Sequence, residues 1–133
     1  MRRAISTDAA PKALGPYSQG ITAGDLVFVS GQVGIDPGNG AVAEGIAAQA
    51  EQALRNVAAI LAAAGCSMTD VVKTTLWLTD ADDFAIVNEI YARHLPPPAP
   101  ARSTPIVAAL PRGFLISIEA IAVKPNDGRM SSR

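Results

Sequence analysis

Cysteine is almost missing from this 133-residue chain: Cys66 stands alone. No disulfide framework can hold the fold, and a reducing, cytoplasmic setting suits it. Histidine is as scarce, with His94 the single example. One imidazole and one thiol do not assemble a zinc-type cluster, so no metal is expected. Charge is sparse too, at 17% of residues with a net of −1 and a pI near 5.7. That balance excludes the basic stripe that nucleic acid or an anionic membrane would require. Long apolar runs are absent, and Met1-Arg2-Arg3-Ala4-Ile5 lacks the hydrophobic stretch of a signal peptide. Gly31, Gly34, Gly38 and Gly40 match neither the Walker nor the dinucleotide spacing. Neither Ser30 nor Ser103 sits in a nucleophile motif. There is no internal repeat; residues 1–125 read as a single domain, and 126–133 as a polar, flexible tail.

What is present is apolar and periodic. Hydrophobic residues make up 49% of the chain, ample for one core, and so small a charged surface in a small domain points to self-association. Strands are expected at Arg3–Ser6, at Ser18–Thr22 and at Leu26–Gln32, the last two joined by the hairpin signal Ala23-Gly24-Asp25. In the third, Val27, Val29, Gly31 and Val33 share a face. Pro37-Gly38-Asn39-Gly40 is a turn. From Ile46 to Ala64 apolar residues recur at helical spacing, with Gly65 placed as a C-terminal cap. Val71–Leu78 is β-branched enough to be a strand. Thr79-Asp80 caps a second helix, whose buried face is Phe84, Val87, Ile90, Tyr91 and Leu95 and which Pro96-Pro97-Pro98 ends. A strand pair closes the chain, Pro100–Thr104 and Leu115–Val123. Both helices must cover one sheet face, leaving Phe28, Trp77, Ile121 and Val123 on the other for a second copy to cover.

Most chemistry-bearing residues have plain structural explanations. Asp80, Asp82 and Asp83 form an acidic first helical turn. His94 interacts with the carbonyls that end its helix, Cys66 packs, and Trp77 and Tyr91 serve core or interface. Tyr17 differs, because its Gly-Pro-Tyr-Ser loop can lean a phenol over a pocket. Arg102 and Glu119 pose the open question. They either satisfy each other as an ion pair, or they divide a small substrate between them. The planar fork of arginine grips a carboxylate bidentately. A carboxylate among apolar neighbours is costly to keep charged, which suits it to water orientation or proton transfer.

These residues belong to separated motifs: Ala13-Leu14-Gly15-Pro16-Tyr17-Ser18-Gln19-Gly20, Ser30-Gly31-Gln32, Ala47-Ala48-Gln49-Ala50, Leu54-Arg55-Asn56-Val57, Val72-Lys73-Thr74-Thr75, Phe84 with Asn88, Pro100-Ala101-Arg102-Ser103 and Ile118-Glu119-Ala120-Ile121-Ala122. In this order, from Ile5 to about Val123, the chain resembles the Rid family of reactive-intermediate imine deaminases, once called YjgF, and within it the RidA type. The resemblance implies an α+β, chorismate-mutase-like fold, a mixed β-sheet with two helices packed on one face, and a homotrimer with sites in inter-subunit clefts. It implies hydrolysis of 2-imino acids such as 2-iminopropanoate to 2-keto acids and ammonia, with no cofactor or metal. Arg102 would bind the substrate carboxylate, Glu119 would position and activate water, and Tyr17 would complete the catalytic group. Asn88, Ser30, Gly31 and Thr104 would line the pocket. The family has relatives that do not deaminate, so a non-catalytic trimeric module for small carboxylic metabolites is the alternative. RNA cleavage, attributed to some relatives, is disfavoured by the acidic pI and the lack of a histidine pair. Two positions depart from the family: Thr104 stands where the best-known members carry cysteine, and Pro105 interrupts the strand after Arg102, calling for an edge or a bulge.

Overall fold

The apolar stripe from Ile46 winds into α1, Gly45–Ala63, in a computed structural model that describes residues 1–125. The tail expected at 126–133 lies outside the described residues. Gly65 closes the helix at φ +80°, with its own N–H on Ala62 O at 3.0 Å and that of Cys66 on Leu61 O at 2.9 Å. A left-handed residue past the last turn satisfies those orphan carbonyls, and glycine adopts it freely. The remaining elements are β1 Arg2–Ile5, β2 Gly20–Ala23, β3 Leu26–Gln32, β4 Val71–Leu78, α2 Phe84–His94, β5 Ala101–Ser103 and β6 Ile116–Val123. Gly24 supplies the positive φ, +59°, that turns β2 tightly into β3.

One sheet holds all six strands in the order β1-β2-β3-β6-β4-β5. Among the strands of the described residues, β4 and β5 alone run parallel. The expected pairing of the last two strands is therefore corrected: β4 lies between them, with Thr74 opposite Arg102 on one side and Thr75 opposite Glu119 on the other. The physical reason is that β6 carries apolar residues on both faces, which suits a central position, and a central strand pairs on both edges, here with β3 and β4. The segment after β5 runs on along the end of β4, Pro105 O accepting from Leu78 N at 3.1 Å and Val107 N donating to Leu78 O at 2.8 Å. Pro105 thus sits past a three-residue edge strand, where its missing N–H leaves no ladder bond unmade.

Both helices cover the face formed by Val27, Val29, Leu76, Leu78, Ile116, Ile118, Ala120 and Ala122, all buried. Leu54, Val57, Ile60 and Leu61 of α1 and Val87, Ile90 and Tyr91 of α2 complete this core. The opposite face carries Leu26, Phe28 and Val123, each about two-fifths exposed, with Trp77 and Ile121 half-buried. Two sequence expectations shift here. A bulge between Val29 and Gln32 breaks the alternation of β3, so Gly31 is exposed while Gln32 is buried. Phe84 is not on the buried face of α2 but 45% exposed, because as the first residue of the helix it turns its ring to the Arg102 guanidinium instead of the core. His94 also departs from expectation. Its Nε2 meets Glu51 Oε2 of α1 at 2.9 Å, an inter-helix tie in place of a carbonyl contact. That bond, foremost, with help from Arg55 and against a smaller cost of burial, holds the Glu51 carboxyl below the usual range. No helix among the described residues is long and apolar enough to cross a membrane.

Buried amides fix the loops. Asn56, fully buried, donates to Val33 O at 3.0 Å and Ile35 O at 2.9 Å. Gln49 spans two more segments, donating to Ala43 O at 3.1 Å and accepting from Leu115 N at 2.9 Å. Gln19 binds the carbonyls of Thr7 and Pro11 at 3.0 and 2.8 Å. Gly34 lets the chain pass directly against α1, where a Cβ would come within 2.6 Å of Gln49 Cα. Asn56→Ala strands two carbonyls in a closed site, and the expected loss is about 2–3 kcal/mol. Urea unfolding measures it; a loss under about 0.5 kcal/mol would mean that water replaces the amide.

Candidate active site

Arg102 is the best-held cation in the structure. Pairing with Thr74 puts its side chain on the helix side of the sheet, where α2 meets it. Nε donates to Thr104 Oγ1 at 2.9 Å and Nη2 to Asn88 Oδ1 at 2.5 Å. The guanidinium carbon lies 4.8 Å from the Tyr91 ring centroid and 5.4 Å from that of Phe84, close enough for cation–π attraction. Tyr91 is fixed in turn by a 2.6 Å bond to buried Thr74. Burial pushes its phenol up, outweighing the Thr74 bond and the arginine charge, so Tyr91 stays protonated and serves as a platform. Among the described residues Arg102 pairs with no carboxylate. Two acceptors hold one edge of the fork, and the terminal nitrogens keep N–H groups for an incoming acid.

Glu119 occupies the other side. It stands opposite Thr75 on the sheet face away from the helices, half-buried, and accepts from Trp77 Nε1 at 3.3 Å. Lys73, on the same face, spends its ammonium on Thr74 O at 3.1 Å and Thr75 Oγ1 at 3.2 Å. So Arg102 and Glu119 do not form the ion pair considered from sequence. They lie on opposite faces and two strand spacings apart, about 10 Å across the sheet alone.

Tyr17 and Gly31 share a third location, a cavity of about 380 Å³ that Leu14, Gln32, Phe114 and Ser117 also line. Tyr17 is 54% exposed, and its hydroxyl accepts from Leu14 N at 3.3 Å, leaving the phenol proton uncommitted. Gly31 brings bare backbone to the wall, where a Cβ would stand 2.8 Å from Ser117 Oγ. Ser30 is beside the cavity rather than in it. Its hydroxyl donates to Ser18 O at 2.6 Å and its N–H to Gln19 O at 2.9 Å, clamping the loop that carries Tyr17. Arg102, Asn88 and Thr104 thus gather at one place, Tyr17 and Gly31 at a second, and Glu119 at a third.

The other titratable groups do structural work. Cys66 is buried, and burial, with the Asp70 charge behind it, pushes its thiol up, away from a reactive thiolate. Asp80 accepts from Asp82 N at 2.9 Å, while partial burial and then the charges of Asp80 and Asp82 push the Asp83 carboxyl up. No group of His, Cys, Asp and Glu among the described residues is arranged to hold a metal. No local pattern marks Tyr91 and Thr74 as supports for Arg102, or Trp77 as the partner of Glu119, because these contacts arise only from strand register and the docking of α2.

Residues 7–124 match the family model described as Endoribonuclease L-PSP. A human protein named 2-iminobutanoate/2-iminopropanoate deaminase is 50% identical over 125 residues, covering 93% of this chain and 91% of its own. The crystal structure of RidA from an Antarctic Psychrobacter superposes with a TM-score of 0.89 at 48% identity, over 91% of this chain and 98% of that one. The E. coli TdcF structure with bound serine gives 0.88 at 42% identity, over 92% and 99%.

Proposed function

The chain belongs to the endoribonuclease L-PSP family, the YjgF/Rid proteins, and from that premise we propose that it hydrolyses 2-imino acids to 2-keto acids and ammonia. The observation that carries this reading is the Arg102 fork, oriented by Asn88 and Thr104 and paired with no carboxylate among the described residues. It fits a small carboxylate. An imine carbon is already electrophilic, so positioning accounts for most of what such an enzyme must add.

In this mechanism Arg102 holds the acid and Glu119 takes a proton from water as its oxygen attacks the imine carbon. The resulting tetrahedral carbon carries hydroxyl and amino groups. Starting from the protonated imine, Glu119 returns the proton to nitrogen, with the Tyr17 hydroxyl bonded to that nitrogen, and then takes the hydroxyl proton as the C–N bond breaks, so that ammonia leaves and the C=O group remains. Asn88 and Thr104 keep the guanidinium in place, and the Gly31 and Ser30 segment forms the opposite wall. No cofactor or metal takes part.

Opposite faces of one sheet cannot both touch a substrate of a few atoms. The reading therefore places the working site between copies, with Arg102 of one facing Glu119 and Tyr17 of the next, in a homotrimer built on the exposed sheet face of Leu26, Phe28 and Val123. The unit taken to assemble is the domain of residues 1–125. RNA cleavage, to which the family description points, gains little from a chain of net charge −1 with a single histidine. The test is ammonia release from freshly generated 2-iminopropanoate and 2-iminobutanoate. Acceleration over the uncatalysed rate supports the deaminase; 2-keto acid binding without turnover would instead make the chain a carboxylate-binding module.

A further inference from the structure

Resting on the deaminase reading, and naming a substrate class for it, we infer that the cavity beside Tyr17 and Gly31 recognises a second, distal carboxylate on the substrate through Lys12 and Arg112. Both cations line this cavity. Both also line the smaller depression that continues from it past Ile35 and Asp36. They are exposed, and among the described residues neither forms an ion pair. Of the carboxylates near them, Asp36 is engaged at Oδ1 by Gly38 N at 2.7 Å, and Asp8 shares a separate depression with Lys12 without pairing with it.

The backbone at Arg112 gives independent support. It is the non-glycine residue with positive φ among the described residues, at 60°, a conformation that costs an L residue energy and clusters at active sites and ligand clamps. Gly113 follows at φ +76°, so glycine is available in this turn, yet the left-handed position before it carries arginine. The guanidinium lies 5.5 Å from the centroid of Phe114, a cavity wall residue. That stacking aims the charge along the wall while leaving its N–H edges for an anion.

The wall between the cations and Tyr17 is mostly apolar, formed by Leu14, Val33, Ile35 and Phe114. An apolar wall with cations on it suits a short methylene chain ending in an acid. A dicarboxylic 2-imino acid whose first carboxylate is held by Arg102 of the neighbouring copy can lay its second against Lys12 and Arg112, a contact that 2-iminopropanoate and 2-iminobutanoate have no group to make. The same chemistry applies to the product, a dicarboxylic 2-keto acid, so binding can be measured without turnover.

The experiment is calorimetric titration of the intact protein with 2-ketoglutarate and with 2-ketobutanoate, alongside hydrolysis of the two corresponding 2-imino acids. The decisive variant is Arg112→Gly, since glycine accepts the left-handed turn and the fold is kept or stabilised. Expected is tighter binding of 2-ketoglutarate than 2-ketobutanoate by the wild type. Arg112→Gly should cut that preference by about tenfold, the effect of one charged hydrogen bond, and Lys12→Ala should lower it further. Equal affinities in the wild type, or a preference untouched by both substitutions, would overturn the inference. Loss of turnover on every imino acid with the binding preference intact would remove the deaminase and leave the distal carboxylate site standing.

Discussion

Arg102→Ala should lower kcat/KM for 2-iminopropanoate hydrolysis by about 10²–10³-fold, the scale expected when a charged, two-pronged grip on a carboxylate is lost. Arg102→Lys should recover little of it. Lysine presents a point charge without the fork, and it cannot satisfy Thr104 Oγ1 and Asn88 Oδ1, which the arginine now meets at 2.9 and 2.5 Å. Asn88→Ala leaves the charge but frees its orientation, so the expected change is a raised KM with a smaller loss in kcat. Steady-state assays with a coupled keto-acid readout check all three. A rate for Arg102→Ala within twofold of the wild type would remove this residue from the mechanism.

Mixing two inactive variants should restore activity. Arg102→Ala and Glu119→Ala each lose function alone, yet a site that takes arginine from one copy and glutamate from the next is intact in some mixed assemblies. Random assortment of three copies leaves about a quarter of the sites whole. Co-refolding equal amounts and assaying ammonia release therefore should give about that share of wild-type activity. The prediction follows from the opposite orientations of Thr74 with Arg102 and Thr75 with Glu119. No recovery, in a sample verified as mixed, would place both groups of each working site on a single copy. Glu119→Gln isolates the proton-transfer role, since it keeps an acceptor for Trp77 Nε1 but cannot take a proton from water.

Much of the architecture could be read directly. Val71–Leu78 and Leu26–Gln32 have the boundaries their residues suggest, and α1 runs Gly45–Ala63 against an expected Ile46–Ala64. These patterns are local: helical and strand periods repeat within one element, and a cap such as Gly65 acts on its own turn. The exposed sheet face was legible for the same reason, because Trp77, Ile121 and Val123 alternate with buried neighbours. The bulge in β3 leaves no mark on the residue pattern, since one inserted residue leaves composition unchanged while exchanging the faces of Gly31 and Gln32.

By itself the sequence determined the elements, the family and the identity of Arg102, Glu119 and Tyr17 as residues worth testing. Tertiary structure decided how they relate. Insertion of β4 between β5 and β6 separated a pair that looked adjacent, and α2 supplied Asn88, Phe84 and Tyr91 to hold the arginine. Strand order and register depend on which distant segments bury the most apolar surface together, a property of the whole chain that no local period encodes.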